Sequence, residues 1–98
     1  MRVTYNAAVE VATRETLDLD QVPELSDYRA EVGTSPHGWL EVRLSLSATS
    51  LAHACATAVS VASAATGAEA IACEVITERE SDDRGHVPGQ RTAPAAWA

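Results

Sequence analysis

The sequence predicts an α+β fold in which a four-stranded antiparallel sheet packs against two helices on one face, because two kinds of pattern alternate along the chain. Residues 3–13 and 39–47 alternate apolar and polar side chains, and shorter strand-like segments lie at 30–34 and 70–77. Residues 51–66 are rich in alanine and have helix-capping residues on both sides. The predicted order is therefore strand, helix, strand, strand, helix, strand.

The first helix is predicted to be short. Asp20 is a suitable N-cap, and Pro23 falls in the first turn, where its missing N–H group costs little. Three apolar residues would form the buried side of this helix: Val22, Leu25 and Tyr28.

The second and third strands are predicted to form a hairpin. The connecting residues 35–38 place Pro36 at the second turn position and Gly38 at the fourth, which is typical of a type I turn. In the strand that follows, four apolar residues face one way: Leu40, Val42, Leu44 and Leu46.

The second helix begins after Ser50 and ends before Gly67, and seven of its sixteen residues are alanine. Its small side chains favour close packing on a sheet that lacks phenylalanine. We expect its inward face to hold Leu51, Cys55, Ala58, Ala62 and Ala65. Its outward face is unusually poor in charge for an exposed helix, with Ala52, Ala56, Ser60 and Ser63.

The last strand, at 70–77, is predicted to point Ile71, Cys73 and Val75 inward. Cys55 lies about as far before the helix–strand turn as Cys73 lies after it, once the rise per residue of each element is counted. The two thiols are therefore predicted to be neighbours, as buried small apolar groups and not as activated nucleophiles.

The chain is predicted to form one domain over residues 1–78, followed by a tail at 79–98. The tail is first acidic and then rich in alanine and proline, and its lack of periodicity predicts flexibility. Trp97 near its end is a candidate anchor for a partner's pocket.

The net charge is −7, and the seven basic residues are all arginine and scattered along the chain. This balance disfavours nucleic acid and anionic membranes as partners. The first 14 residues lack the apolar run of a signal peptide, and 51–65 is too short and polar to span a bilayer. We expect a cytoplasmic protein with reduced cysteines.

The order of elements over residues 2–78 resembles the ferredoxin-like split βαβ arrangement, which ACT regulatory domains and RNA-recognition domains share. The resemblance implies a sheet with one open face. RNA-recognition domains stack bases on aromatic residues of that face. Here the corresponding positions hold no aromatic residue except Trp39 at a strand end, which argues against RNA binding; they include Asn6, Ala8, Glu10, Ala12, Glu41, Arg43 and Ser45.

ACT domains typically bind amino acids at a loop that contains glycine or proline after the first strand. The equivalent residues 14–20 contain neither, which weakens that interpretation. The chain also resembles small uncharacterised proteins of actinobacteria and their phages, a likeness that implies no activity.

No catalytic motif is present, and we expect neither an enzyme nor a cofactor. His53 and Cys55 lie two residues apart on a helix and therefore point in different directions, so they make a poor metal chelate. No phosphate-binding glycine loop or HExxH motif occurs, and we expect no metal.

We therefore expect a non-enzymatic protein–protein interaction or regulatory module that forms a homodimer or binds another protein. Its contacts would involve the open sheet face, an edge strand or the tail. The alternatives are an ACT-like domain that senses a small molecule and an acidic, phage-type antagonist of a nucleic-acid-binding protein. The candidate partner-binding residues are Trp39, Glu41, Arg43, Ala52, Ala56, Ser60, Ile76 and Trp97.

Overall fold

The computed structural model describes residues 2–18 and 21–84, apart from the side chains of residues 24 and 84. Within them the chain is α+β, with one four-stranded antiparallel sheet and two α-helices. The elements are β1 (Val3–Val11), a 3₁₀ segment (Pro23–Tyr28), β2 (Glu31–Thr34), β3 (Leu40–Ala48), α1 (Leu51–Thr66), β4 (Ala70–Thr77) and α2 (Glu78–Arg84). All four predicted strands are present, within two residues of their expected ends.

The sheet has the order β2-β3-β1-β4, and every neighbouring pair is antiparallel. β1 and β3 pair along their whole lengths, from Val3 opposite Ala48 to Val11 opposite Leu40. β1 and β3 are therefore the two central strands, whereas β2 and β4 form the edges.

The core lies between the inner face of the sheet and α1. Alternate residues of the two central strands meet there, including Val9 and Val42, which are opposite each other and fully buried. The inward alternation predicted for both strands is confirmed, and the buried set on them comprises Tyr5, Ala7, Val9, Val11, Leu40, Val42, Leu44, Leu46 and Ala48.

The helix α1 has the bounds and caps that the sequence predicts. Ser50 accepts a hydrogen bond from the N–H of His53, and Gly67 adopts the left-handed conformation, with φ 69°. Its buried stripe repeats every fourth residue, at Ala54, Ala58 and Ala62. Because these side chains are single methyl groups, the helix axis can lie close to the sheet.

Part of the predicted inward face of α1 is wrong. Leu51 is 53% exposed, because it is the first residue of the helix and the buried stripe begins one turn later, at Ala54. Cys55 and Ala65 lie at the margin of the contact and are half-buried.

The first predicted helix forms a six-residue 3₁₀ segment and not an α-helix. The predicted N-cap Asp20 lies outside the described residues, and no described side chain caps the start at Val22. The segment ends at Arg29, whose N–H donates to the carbonyl of Ser26 at 3.3 Å. The short i→i+3 geometry suits a connection that must return to the sheet within a few residues. Its predicted apolar side is confirmed, since Val22 and Leu25 are buried and Tyr28 is half-buried.

A β-bulge changes the predicted inward side of β4. The register passes from Glu10 opposite Ala72 to Val11 opposite Ala70, so Ile71 is opposite no residue of β1. Ile71 is consequently 46% exposed instead of buried. Cys73 and Val75, beyond the bulge, pack against the core as expected.

The segment after β4 also differs from the prediction of a flexible tail from residue 79. Residues 78–84 form α2, whose N–H group at Glu80 donates to the hydroxyl of Thr77 at 3.1 Å. Acidic residues in the first turn favour the helix dipole, and Ser81 is buried. The remainder of the predicted tail, including Trp97, lies outside the described residues.

Among the described residues, no helix has both the length and the apolar character needed to cross a membrane.

Candidate functional site

The turn between β2 and β3 carries Trp39, one of the predicted partner-binding residues. The N–H of Gly38 donates to the carbonyl of Ser35 at 2.9 Å, which confirms a four-residue turn. The guanidinium of Arg14 stacks over the Trp39 ring, 4.2 Å from its centroid, and donates to the carbonyl of Gly38 at 3.0 Å. Trp39 is therefore half-buried and held within its own chain.

The same turn is tied to β1 through Ser35. Its hydroxyl donates to Oε1 of Glu10 at 2.5 Å and accepts from the N–H groups of His37 and Trp39, both at 3.2 Å. Ser35 and Glu10 are both buried. A charge-assisted hydrogen bond compensates Glu10 for lost hydration, so this pair has a structural explanation.

The outer face of the sheet, which lies opposite α1, is less open than the sequence predicts. Ala8, Glu10 and Glu41 at its centre are all less than 8% exposed. Towards β2, Arg43 faces Glu31 across the strand pair, with a nitrogen–oxygen distance of 3.7 Å. Burial at the centre removes Glu41 from the accessible surface and leaves this face poorly suited to receive a second sheet.

The outward face of α1 is exposed where the sequence predicts it to be. Ala52, Ala56 and Ser60 are all exposed, and Leu51 adds an apolar side chain at the start of the helix. α1 has no acidic residue in its first turn and no basic residue in its last. This surface is bare, but it is formed of small groups that offer little area to a partner.

The edge formed by β4 is a more complete surface. β4 pairs with β1 on one side, and within residues 2–18 and 21–84 no strand pairs with its other side. Six of its eight residues are apolar, and Glu74 is its only charged residue. Apart from the bulge at Ile71 and the charge of Glu74, this apolar edge has no proline, lysine or arginine to hinder strand pairing.

The opposite edge of the sheet has a different construction. β2 contains four residues, among them Gly33 and the exposed Glu31, and it pairs only with residues 40–43 of β3. Short strands and edge charges hinder the addition of another strand. Ile76, the last predicted contact residue, belongs to the β4 side and is half-buried there.

Cys55 and Cys73 are neighbours, as the sequence predicts, because α1 packs over β4. Burial raises the pKa of Cys73 to about 12, and a hydrogen bond with Cys55, the charge of Cys55 and the charge of Glu74 add to the effect. Both cysteines are free and half-buried. A thiol with so high a pKa stays protonated near neutral pH, so Cys73 is not an activated nucleophile.

No group of three His, Cys, Asp or Glu side chains within the described ranges is arranged to hold a metal ion. The sequence does not predict that arginines gather beside residues 44–48 of β3, which β2 does not cover. Arg2 and Arg29 are 27 positions apart and follow no motif, so no local pattern predicts their approach.

Comparison of the chain with known protein families, with curated proteins and with solved structures found no match.

Proposed function

We propose that this protein is a non-enzymatic interaction module of the ferredoxin-like type that forms a homodimer through the free edge of β4. The observation that carries the proposal is the eight-residue apolar edge of β4, with which no further strand pairs among residues 2–18 and 21–84. Such an edge presents a row of backbone N–H and C=O groups that a second strand satisfies.

The strand order supports the ferredoxin-like assignment. β1 and β2 lie on either side of β3, and β3 and β4 lie on either side of β1. Each of these pairs is connected by a helical segment, the 3₁₀ segment in the first case and α1 in the second. Two interleaved split βαβ units have the same connections, which supports the proposal.

A second copy is the partner that the edge favours, because a twofold axis pairs a strand with itself in antiparallel register. Residues on the same face of the sheet then meet. A register centred on Cys73 places Glu74 opposite Ala72 of the partner subunit, and both residues lie beyond the bulge at Ile71. A register centred on Glu74 would place two carboxylates opposite each other, which is unfavourable.

The experiment is sedimentation velocity of the wild-type chain and of Ala72→Glu. We expect a wild-type dimer. We expect the variant to raise the dimer dissociation constant by about tenfold or more, because the new carboxylate faces Glu74 of the partner subunit. Circular dichroism checks that the variant is folded, since Ala72 is also opposite Glu10 in β1.

Two variants with the same charge change serve as controls. Thr34→Glu places the carboxylate on β2 at the other edge, and Ala56→Glu places it on the exposed face of α1. Both should leave the dimer unchanged. A wild-type monomer, or equal weakening by all three variants, would contradict the proposal, and selective weakening by Ala56→Glu would assign the dimer to the helix face.

A further inference from the structure

A groove runs beside the part of β3 that β2 leaves uncovered. Because β2 pairs only with residues 40–43, residues 44–48 have no strand on that side within the described chain. The groove has a volume of about 450 Å³, within the range of small-molecule sites. Its floor includes Ser45, Leu46 and Ser47, and its walls are the end of the 3₁₀ segment and the first turns of α1.

Basic groups meet in this groove, although the chain as a whole is strongly acidic. Arg2, Arg29 and His53 line it, and the carboxylate of Asp27, of opposite charge, lines it as well. Arg2 is positioned by Ser47, since its Nε donates to the hydroxyl at 3.1 Å and its Nη2 to the carbonyl at 2.7 Å. The remaining donors of a guanidinium held in this way are oriented before a ligand arrives.

A smaller cavity of about 180 Å³ adjoins the groove and shares Arg29 and Ser45 with it. Arg43 lines this second cavity beside Glu31. The Nε atom of Arg43 is buried and donates no hydrogen bond within the described structure. A buried donor without an acceptor is energetically unfavourable, so a ligand that supplied an acceptor at this position would remove that cost.

Arg29 is the central residue of the two cavities. Its guanidinium makes no hydrogen bond or ion pair with any described residue, and it is the only described non-glycine residue with a positive φ, 50°. A left-handed arginine is unfavourable relative to glycine. The left-handed conformation belongs to the C-cap of the 3₁₀ segment, where the N–H of Arg29 donates to Ser26, and it leaves the guanidinium lining both cavities.

His53 contributes a donor from α1. Its Nδ1 accepts from the N–H of Thr49 at 3.4 Å, so in the neutral ring Nε2 carries the proton. Thr57, one turn later on the same side of the helix, supplies a hydroxyl to the same wall. The groove therefore combines cationic and hydroxyl donors from three elements and from the start of the chain.

We propose that this groove binds a small metabolite through an oxyanion group, a phosphate or a carboxylate, with Arg29 and Arg2 as its principal ligands. Arginine forks match the geometry of both groups. Leu46 and the Tyr28 ring would contact a short carbon chain attached to the anion. The inference is independent of dimerisation, because the groove lies at the edge of the sheet opposite β4.

The experiment is a titration of the full-length chain with glycerol phosphate and, separately, with succinate, at ionic strength held constant with sodium chloride. Backbone amide resonances are followed by two-dimensional NMR. We expect saturable shifts of the amides of Arg29, Ser47 and His53 with at least one probe. The probe that binds more tightly identifies the oxyanion as phosphate or carboxylate.

Arg29→Gln and Arg2→Gln should each weaken binding about tenfold, the loss expected for a charge-assisted hydrogen bond. Arg79→Gln removes the same charge from an exposed position on α2 outside the groove and should leave binding unchanged. Absence of saturable shifts with both probes would overturn the proposal. So would equal weakening by Arg79→Gln, which indicates general attraction by charge.

Discussion

The two edges of the sheet differ in length and in the side chains around them, although both belong to the same four-stranded sheet. At one edge, β4 continues for eight residues with a single charge, and its backbone faces outward without a partner strand in the described structure. At the other edge, β2 ends after four residues and leaves part of β3 beside a groove lined by arginines. We propose that the first edge pairs with another strand and that the second binds a small anion.

In these two proposals, strand length decides what each edge recognises. A long edge offers repeated backbone groups, which are satisfied best by another strand. A strand that ends early leaves part of its neighbour uncovered, and side chains from the connecting segments line the groove at that place. Here those side chains come from the 3₁₀ segment, α1 and the start of the chain, and they bring Arg2, Arg29 and His53 together.

The largest effect is expected from Gly38→Ala, which disrupts the turn of the β2–β3 hairpin. Gly38 has a φ of +84°, and an added Cβ would lie 2.5 Å from Nη1 of Arg14. The left-handed strain and the displacement of Arg14 should lower the free energy of unfolding by about 2 kcal/mol, measured by urea denaturation.

Gly33→Ala, in β2 of the same hairpin, is the matched control. There the nearest atom to an added Cβ is Nη2 of Arg43, at an ordinary contact distance of 3.5 Å. Its free energy of unfolding should stay close to that of the wild type. If Gly38→Ala also weakened the dimer, the two edges would be coupled, and their separation into independent surfaces would be wrong.

A smaller effect of opposite sign is expected from Arg29→Gly. Glycine adopts the left-handed conformation without strain, so the free energy of unfolding should rise by about 1 kcal/mol. The same variant should lose binding of the oxyanion. A variant that is more stable but no longer binds would separate the role of Arg29 in ligand recognition from any role in folding, whereas a loss of stability would show that the guanidinium supports the fold.

The smallest effect near neutral pH concerns the inner side of β4. The pKa of Cys73 is raised from 9.0 to about 12, first by burial and then by Cys55 and Glu74. Below pH 9 the thiol is protonated in both states and stability does not depend on it. Between pH 9 and 12 only the unfolded chain loses the proton, so the free energy of unfolding falls as the pH rises.

Urea denaturation under reducing conditions, below pH 9 and midway through this window, measures that slope. Cys73→Ala should show a shallower decline than the wild type over the same interval. Equal slopes would mean that Cys73 is as accessible to ionisation in the folded chain as in the unfolded one.

Local patterns in the sequence account for most of the secondary structure. Period-two alternation predicts β1 and β3, because the side chains of a strand alternate between its two faces. Ser50 and Gly67 predict the ends of α1, because caps act on the backbone within a few residues. Pro36 and Gly38 predict the turn at residues 35–38, because their conformational preferences also act locally on the backbone.

Tertiary structure alone decided the features that depend on contacts between distant segments. The bulge that exposes Ile71 arises from the register of β4 against β1, and the exposed Leu51 reflects where α1 begins over the sheet. Residues 23–28 are too few to show a clear helical period. Local signals do mark the start of α2, because the Thr77 hydroxyl and the acidic first turn act within a few residues. The approach of Arg2 to Arg29 follows from the early end of β2, and no spacing in the sequence encodes it.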